Sequence, residues 1–486
     1  MSNVTTDSGL CLLPAVELSQ YLLEKRLSAC ELLALFEQRI AALNPVLNAL
    51  VTLDWEQAWR QARQADTHLA TTGEALGLLH GLPLAVKDVF HVRGMRTTFG
   101  NLLFRDVYSD HDDLLVEREK AAGAVLVGKS NTPDCASGGV TRNEVFGLTL
   151  NPWNPLLTTS GSGGGGAAAL AAGLTSLADG SDVGGSVRTP AGWTNIAGFR
   201  PSAGRIPGFA ASMADSRIST AGVFGRCIAD VMLFMQAVEG PDRRAPVPYP
   251  AVQGDFSAFP SLQAPQGKVG WLPAFAEVEL ADDLQALMAE AAQVLAAQGV
   301  RIAEPELVLG EDFRHLYAEV NAWAVTQGLP EPVLAACLRG EPVKASIQAS
   351  VMRYLSRTPL EGRALLRQLD AFRVRLQLLM EDYLLLVTPT NAGHAFAVDD
   401  PAGEQAHDWS SLYLAPMLGL PAVSVPAGFS RDGMPFGLMI TGRAGADREV
   451  LQLAALFERA TQYYRQQPDL GWVSAFPAAG CPAGGQ

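Results

Sequence analysis

Apolar positions along this chain switch between a helical period and short unbroken runs, the pattern of helices alternating with buried strands. Ser28 and Glu31 have capping-box spacing. Leu32, Leu33, Leu35, Phe36, Ile40 and Leu43 follow at helical intervals, predicting an amphipathic helix that ends at Asn44 and Pro45. A short apolar run over 46–53 leads to Asp54 and Gln57, which open a second helix through about residue 70. Residues 81–88, GLPLAVKD, read as a buried strand ending on two charges. A helix is predicted over 112–122 with Gly123 as its stop, then a buried strand over 124–127, a tight small-residue helix over 167–172 and a strand over 174–177. From about 240 to 383 the pattern is mainly helical. Buried strands follow over 384–390, 422–426 and 437–442, and a closing helix over 448–461. Helix and buried strand in alternation predict α/β layering.

One stretch fits neither pattern. Residues 158–202 crowd glycine and small hydroxyl residues together without a Lys or Glu. Glycine gives up the most backbone freedom on folding, so the run Gly163, Gly164, Gly165, Gly166 needs a return that only glycine permits, a positive φ or a close backbone approach. A flexible linker is the usual meaning of such composition. Here the glycines run into alanines, then a Leu/Ala stretch, then a second Gly/Ser turn closed by Arg188 and Pro190, which is structure and not a tether.

Composition narrows the function classes. With 48% hydrophobic and 18% charged residues the chain is globular and can bury a large core. Its 36 basic against 50 acidic residues give a net charge of −14 with no basic block, which disfavours nucleic acid and anionic membrane as partners. The longest uncharged stretch, 145–177, is broken by proline and glycine and does not read as a membrane span. The N-terminus lacks the basic region of a signal peptide, and six scattered cysteines without C-x-x-C spacing point to free thiols in a reducing, cytoplasmic setting. Seven dispersed histidines form no metal-ligand spacing.

Gly123 to Ser130 matches the G-x-x-x-x-G-K-[ST] phosphate-loop expression, but its middle residues are apolar strand formers and Asn131-Thr132-Pro133 follows where a helix must begin. The context is inverted, so nucleotide binding is set aside. Lys87 poses the opposite case. A lysine ending an apolar strand ordinarily snorkels or pairs, here with Asp88. A buried lysine also loses its charge readily and then serves as a base. A serine nucleophile needs such a base, yet no histidine accompanies a serine in a recognisable motif and no G-x-S-x-G elbow surrounds Ser186. The run Val183-Gly184-Gly185-Ser186 can aim consecutive N–H groups at one point, as a developing oxyanion requires.

The segment Gly180-Ser181-Asp182-Val183-Gly184-Gly185-Ser186-Val187-Arg188-Thr189-Pro190-Ala191, with Val86-Lys87-Asp88 upstream and Asn151-Pro152-Trp153 before the first glycine loop, resembles the amidase signature family. The resemblance is strongest over 81–204 and 384–461. It implies an α/β fold with a large mixed twisted sheet covered by helices on both faces. The expected organisation is one domain over 1–477: an N-terminal helical segment (1–70), a signature core (81–204), a variable helical pocket cover (240–383) and a C-terminal core (384–461), with 478–486 a disordered tail. It also implies a triad of Lys87, Ser162 and Ser186, lying 75 and 99 residues apart from the lysine. Neutral Lys87 would take a proton from Ser162, on a cis peptide bond with Gly161 and Gly163 beside it, and Ser162 would take one from the nucleophile Ser186. Asp182 and Arg188 would structure the loop, and Ala136, Ser137, Gly138 and Gly139 would line the acyl side of the pocket. Cys135 beside them reads as a buried small hydrophobe.

The family's usual first loop, Gly-Gly-Ser-Ser-Gly-Gly-Ser, is here Ser160-Gly161-Ser162-Gly163-Gly164-Gly165-Gly166. The relay serine is kept, while Gly163 and Gly166 replace serines, the first of which helps hold the lysine. No metal or cofactor is implied. The expected partner is a small neutral amide, an aryl or acyl amide or a carbamate (urethane), with an ester also accommodated and a homodimer left open. Two alternatives stand beside this reading: the amidase subunit of a tRNA-dependent amidotransferase, and a non-catalytic binding protein of the same fold.

Overall fold

The computed structural model describes residues 9–208, 218–250, 256, 262–275, 278–306, 310–476 and 478. Its strands in chain order are β1 (Leu50–Leu53), β2 (Pro83–Lys87), β3 (Val125–Ser130), β4 (Arg142–Asn143), β5 (Gly147–Leu148), β6 (Leu177–Asp182), β7 (Ala197–Arg200), β8 (Thr220–Gly225), β9 (Lys268–Trp271), β10 (Arg301–Ala303), β11 (Leu385–Pro389), β12 (Ala422–Phe429) and β13 (Pro435–Gly442). Among the described residues β4 and β5 pair with each other, and the other eleven strands form one sheet in the order β1, β3, β2, β6, β8, β7, β12, β13, β11, β9, β10. The sheet is mixed. β3, β2 and β6 run parallel, as do β11, β9 and β10, and the strands between them pair antiparallel.

Helices cover both faces, and β13 shows why. Gly437 on that strand packs against Gly192 of helix Arg188–Thr194, while Gly442, five residues on and therefore on the opposite face, packs against Val450 of helix Asp447–Thr461. A strand buried on both sides cannot alternate polar and apolar, so β2, β12 and β13 read as continuous runs. A second apolar cluster docks the helical cover onto the sheet. Phe313 and Val320 of helix Gly310–Gly328 and Phe372 and Leu376 of helix Pro359–Asp382 pack with Leu386 of β11 and Met417.

Most predicted elements are present. Ser28 and Glu31 form the reciprocal cap, and Asp54 accepts from the Gln57 N–H. Others differ, each for a local reason. The first long helix runs Ala29–Leu47, through Pro45, because a proline in the last turn removes only one ladder bond and the Asn44 side chain takes the Ala49 and Leu50 N–H groups. The helix placed at 167–172 begins three residues earlier, spanning Gly164–Ala171. The strand placed at 174–177 begins only at Leu177, since Gly173 (φ +75°) turns the chain out of the helix and the Thr175 and Ser176 hydroxyls bind the Pro83 carbonyl. β9 and β10 interrupt the region read as helical. β9 is four residues long and contains Gly270, too short a run to register as a period. Apart from residue 478, the tail expected to be disordered lies outside the described residues. No helix among the described residues is long and apolar enough to cross a membrane.

Candidate active site

β2 carries Lys87 to its last position, fully buried. Lys87 Nζ donates to Ser162 Oγ at 2.7 Å and to Ser181 Oγ at 2.9 Å. Both acceptors are neutral hydroxyls. Burial therefore dominates and pulls the lysine down to about 7, against the opposing pull of Asp179 and Asp182. An amine poised there is uncharged in a large fraction of molecules near neutrality and can accept a proton. The Asp179 carboxylate is near because its Oδ1 takes the Lys87 backbone N–H at 2.5 Å.

The Gly161–Ser162 peptide bond is cis. The turn is held by its neighbours: Thr132 Oγ1 donates to the Ser162 carbonyl at 3.0 Å and Thr141 Oγ1 to the Ser160 carbonyl at 2.7 Å. Gly163 caps the helix that Gly164, Gly165 and Gly166 open, and the return on these glycines is close approach. A Cβ on Gly165 would fall 2.3 Å from the Asn131 backbone, and one on Gly163 would fall 2.6 Å from the Ser186 carbonyl and 2.8 Å from the Phe224 ring. The Gly163 N–H donates to that same carbonyl at 3.0 Å, so the two serine loops are joined backbone to backbone.

Ser186 is half-buried and opens on a cavity of about 1240 Å³, together with Gly161, Ser181, Val183 and Gly184. Its loop is organised from beneath by Asp182, whose carboxylate accepts from the Gly185 and Val187 N–H groups at 3.0 and 3.2 Å and from Arg188 Nε and Nη2 at 3.0 and 2.8 Å. Burial works against that charge. The Arg188 and Arg200 guanidiniums outweigh it and hold the carboxyl well below the usual range. Arg188 Nη2 also binds the Leu412 carbonyl at 2.8 Å, and Leu412 and Tyr413 pack against Gly185 and Gly184, leaving no room for a side chain at either glycine. This arrangement corrects the four-residue oxyanion set in one respect. The Gly185 N–H is spent on Asp182, which leaves the N–H groups of Val183, Gly184 and Ser186 as candidate donors.

Ala136, Ser137, Gly138 and Gly139 all line the cavity. The Gly138 carbonyl lies 2.3 Å from where a Cβ on Gly161 would stand, so this wall touches the Ser162 loop directly. Cys135 is half-buried, and burial pushes its thiol up and away from reactivity. Lys129, the lysine of the phosphate-loop expression, is buried in β3, donating to the Phe90 carbonyl and to Thr97. Three contributors escaped the sequence. Ser181 was signalled by its position two residues after Asp179 on β6, where strand periodicity places both toward Lys87. Lys344 and Glu404, which contact Ser137 and Gly139 across 207 and 265 residues, carry no local signal. The helical cover supplies much of the remaining wall, including Tyr317, Asn321 and Leu329.

Comparison with known proteins places the chain and its fold in a family. The amidase family model matches residues 31–451. An acylamidase of Rhodococcus erythropolis is 30% identical over 479 residues, covering 95% of this chain and 98% of the relative. A glutamyl-tRNA(Gln) amidotransferase subunit of Synechococcus sp. (strain CC9605) is 32% identical over 491 residues, covering 93% and 97%. Among solved structures, 6-aminohexanoate cyclic dimer hydrolase complexed with substrate superposes with a TM-score of 0.83 at 26% identity, covering 95% of this chain and 99% of the other. A bacterial aryl acylamidase of the amidase signature family also gives 0.83 at 26%, covering 93% and 98%. The chain belongs to the amidase signature family, enzymes that hydrolyse carbon–nitrogen bonds.

Proposed function

We propose that this protein hydrolyses a neutral acyl or aryl amide, or a carbamate, through an acyl-enzyme on Ser186. The observation that carries the reading is the contact of Lys87, pulled down to about 7, with Ser162 in the loop bonded to the Ser186 backbone. Neutral Lys87 takes the Ser162 proton as Ser162 takes that of Ser186. Ser186 Oγ bonds to the carbonyl carbon, and the oxyanion meets N–H groups of the 183–186 turn. The tetrahedral adduct collapses with cleavage of the C–N bond, and the proton passes through Ser162 to the leaving amine. Water then repeats the sequence and releases the acid. Asp182 and Arg188 act on this chemistry only by holding the loop.

A neutral substrate is supported by the cavity wall, where Lys344 Nζ is bonded to the Ser137 carbonyl and the Glu404 carboxylate beside it offsets its charge. The acylamidase and cyclic dimer hydrolase relatives make an amide the first choice. The test is labelling by a fluorophosphonate together with turnover of a 4-nitroanilide. Ser186→Ala is expected to abolish labelling and to lower kcat/KM on the order of 10⁴-fold or more. Hydrolysis by Ser186→Ala at the parent rate overturns the mechanism. The amidotransferase relatives favour a second reading, in which the chain works as one component of a complex. Glutamine-dependent ammonia release that needs a partner protein, without turnover of the anilide, decides for it.

A further inference from the structure

Residues 137–139 are gripped by two charges from separate parts of the cover. Lys344, the residue that opens helix Ala345–Leu355, donates from Nζ to the Ser137 carbonyl at 2.6 Å. Glu404, on helix Pro401–Ala406, accepts the Gly139 N–H on Oε1 at 2.7 Å. Both reach over Gly138, where a Cβ would stand 2.6 Å from Lys344 Nζ and 3.3 Å from Glu404 Oε1. The Trp409 ring closes over Gly139 in the same way, at 2.7 Å. All of these residues line the cavity that holds Ser186. Gly138 also abuts Gly161, so the segment that the two charges hold touches the Ser162 loop and shares its cavity with Ser186. Burial lowers the Lys344 ammonium, and Glu404 is the largest influence that sustains it.

We infer that Lys344 and Glu404 are a specificity-determining pair that fixes the charge preference of the acyl end of the cavity. Side by side they present no net charge, and the wall admits a neutral acyl group. An acyl chain ending in a carboxylate meets the Glu404 charge, while Lys344 is held on the Ser137 carbonyl and offset by that same neighbouring carboxylate. Removing the carboxylate of Glu404 leaves Lys344 as a cation facing the cavity, and the preference inverts toward short dicarboxylic half-amides. This inference rests on the acyl-transfer reading above, because it places residues 137–139 on the acyl side.

The experiment compares two 4-nitroanilides of similar length, one of valeric acid and one of glutaric acid with its free carboxylate. Glu404→Gln keeps an acceptor for the Gly139 N–H while removing the charge, and Glu404→Ala removes both. In either variant the ratio of kcat/KM for the glutaryl over the valeryl anilide is expected to rise about tenfold or more. Adding Lys344→Met to Glu404→Gln is expected to return the ratio toward that of the parent. A ratio unmoved in Glu404→Gln, or a gain that survives Lys344→Met, overturns the inference. Binding of the same two anilides by the Ser186→Ala forms, read by calorimetry, separates the two layers of argument. A Kd preference that inverts with Glu404→Gln supports the pair even where the parent fails to turn over either anilide. A preference that does not invert, alongside normal turnover by the parent, overturns the pair and leaves the acyl-transfer reading intact.

Discussion

In the proposed mechanism Lys87 acts only when uncharged, and its surroundings divide over that question. Burial pulls it down to about 7, while Asp179 and Asp182 favour the ammonium. The catalytic rate is therefore expected to rise with pH through about 7 as the lysine loses its proton. Asp179→Asn removes the part of a charge that Asp179, raised to about 7, carries near neutrality, and keeps an oxygen for the Lys87 N–H. The limb is expected to move to lower pH, a shift read from kcat/KM profiles of the variant and the parent. A profile that falls in height without moving would make Asp179 a purely structural residue. Lys87, Ser162 and Ser186 could be singled out in the sequence because the resemblance rests on a short motif around each, and the structure brings Lys87 into contact with Ser162. Ser181 was not singled out, although the second lysine bond ends on it.

The first glycine loop and its helix behave as one element wedged between β3 and the Ser186 loop. A side chain at position 163 meets the Ser186 carbonyl and Phe224, neither of which is a flexible side-chain end. Gly163→Ala is expected to destabilise the protein by about 1–3 kcal/mol, as overpacking does, and to lower kcat more than it raises KM. Urea melts and steady-state kinetics measure the two effects, and a fully active, equally stable variant would show that the loops move apart freely. The same contacts explain why the departure from the family's serine reads as a gap in sequence and as a fit in three dimensions. Elements with an end signal were placed well: the Ser28 cap, the Gly123 stop and the apolar runs of β2, β11, β12 and β13. Elements whose ends are set from a distance were not. β6 starts where Pro83 captures two hydroxyls, and the short β9 exists because β11 and β10 flank it.

At the scale of the whole molecule, the sheet was readable from alternation of apolar runs, whereas the pocket was not, because its wall joins residues 137–139 to positions more than 200 residues away. The sheet also buries acids. Glu119 faces Asp179, and among the described residues neither Glu119 oxygen nor Asp179 Oδ2 has a donor other than the proton the two acids can share. Burial raises both, Glu119 the further, and the same cause lifts Asp230 to about 6 and Glu458 to about 8. In the unfolded chain such acids ionise near 4. Between that value and their folded values the native state holds more protons than the unfolded one, so stability falls as pH rises. Lys87 acts with the opposite sign, but only above about pH 7, where the unfolded chain keeps a proton that the native state has lost. Calorimetric Tm values are expected to be higher at pH 6 than at pH 7.5, and the reverse order would mean that these acids are ionised in the fold. Between their unfolded and folded values these acids make folding take up protons, while burial of His407, lowered to about 4, acts against them. The condition in which the protein lasts longest lies on the acid side of the condition in which it turns over fastest, so durability in storage and speed in use have different optima, each set by burial of ionisable groups.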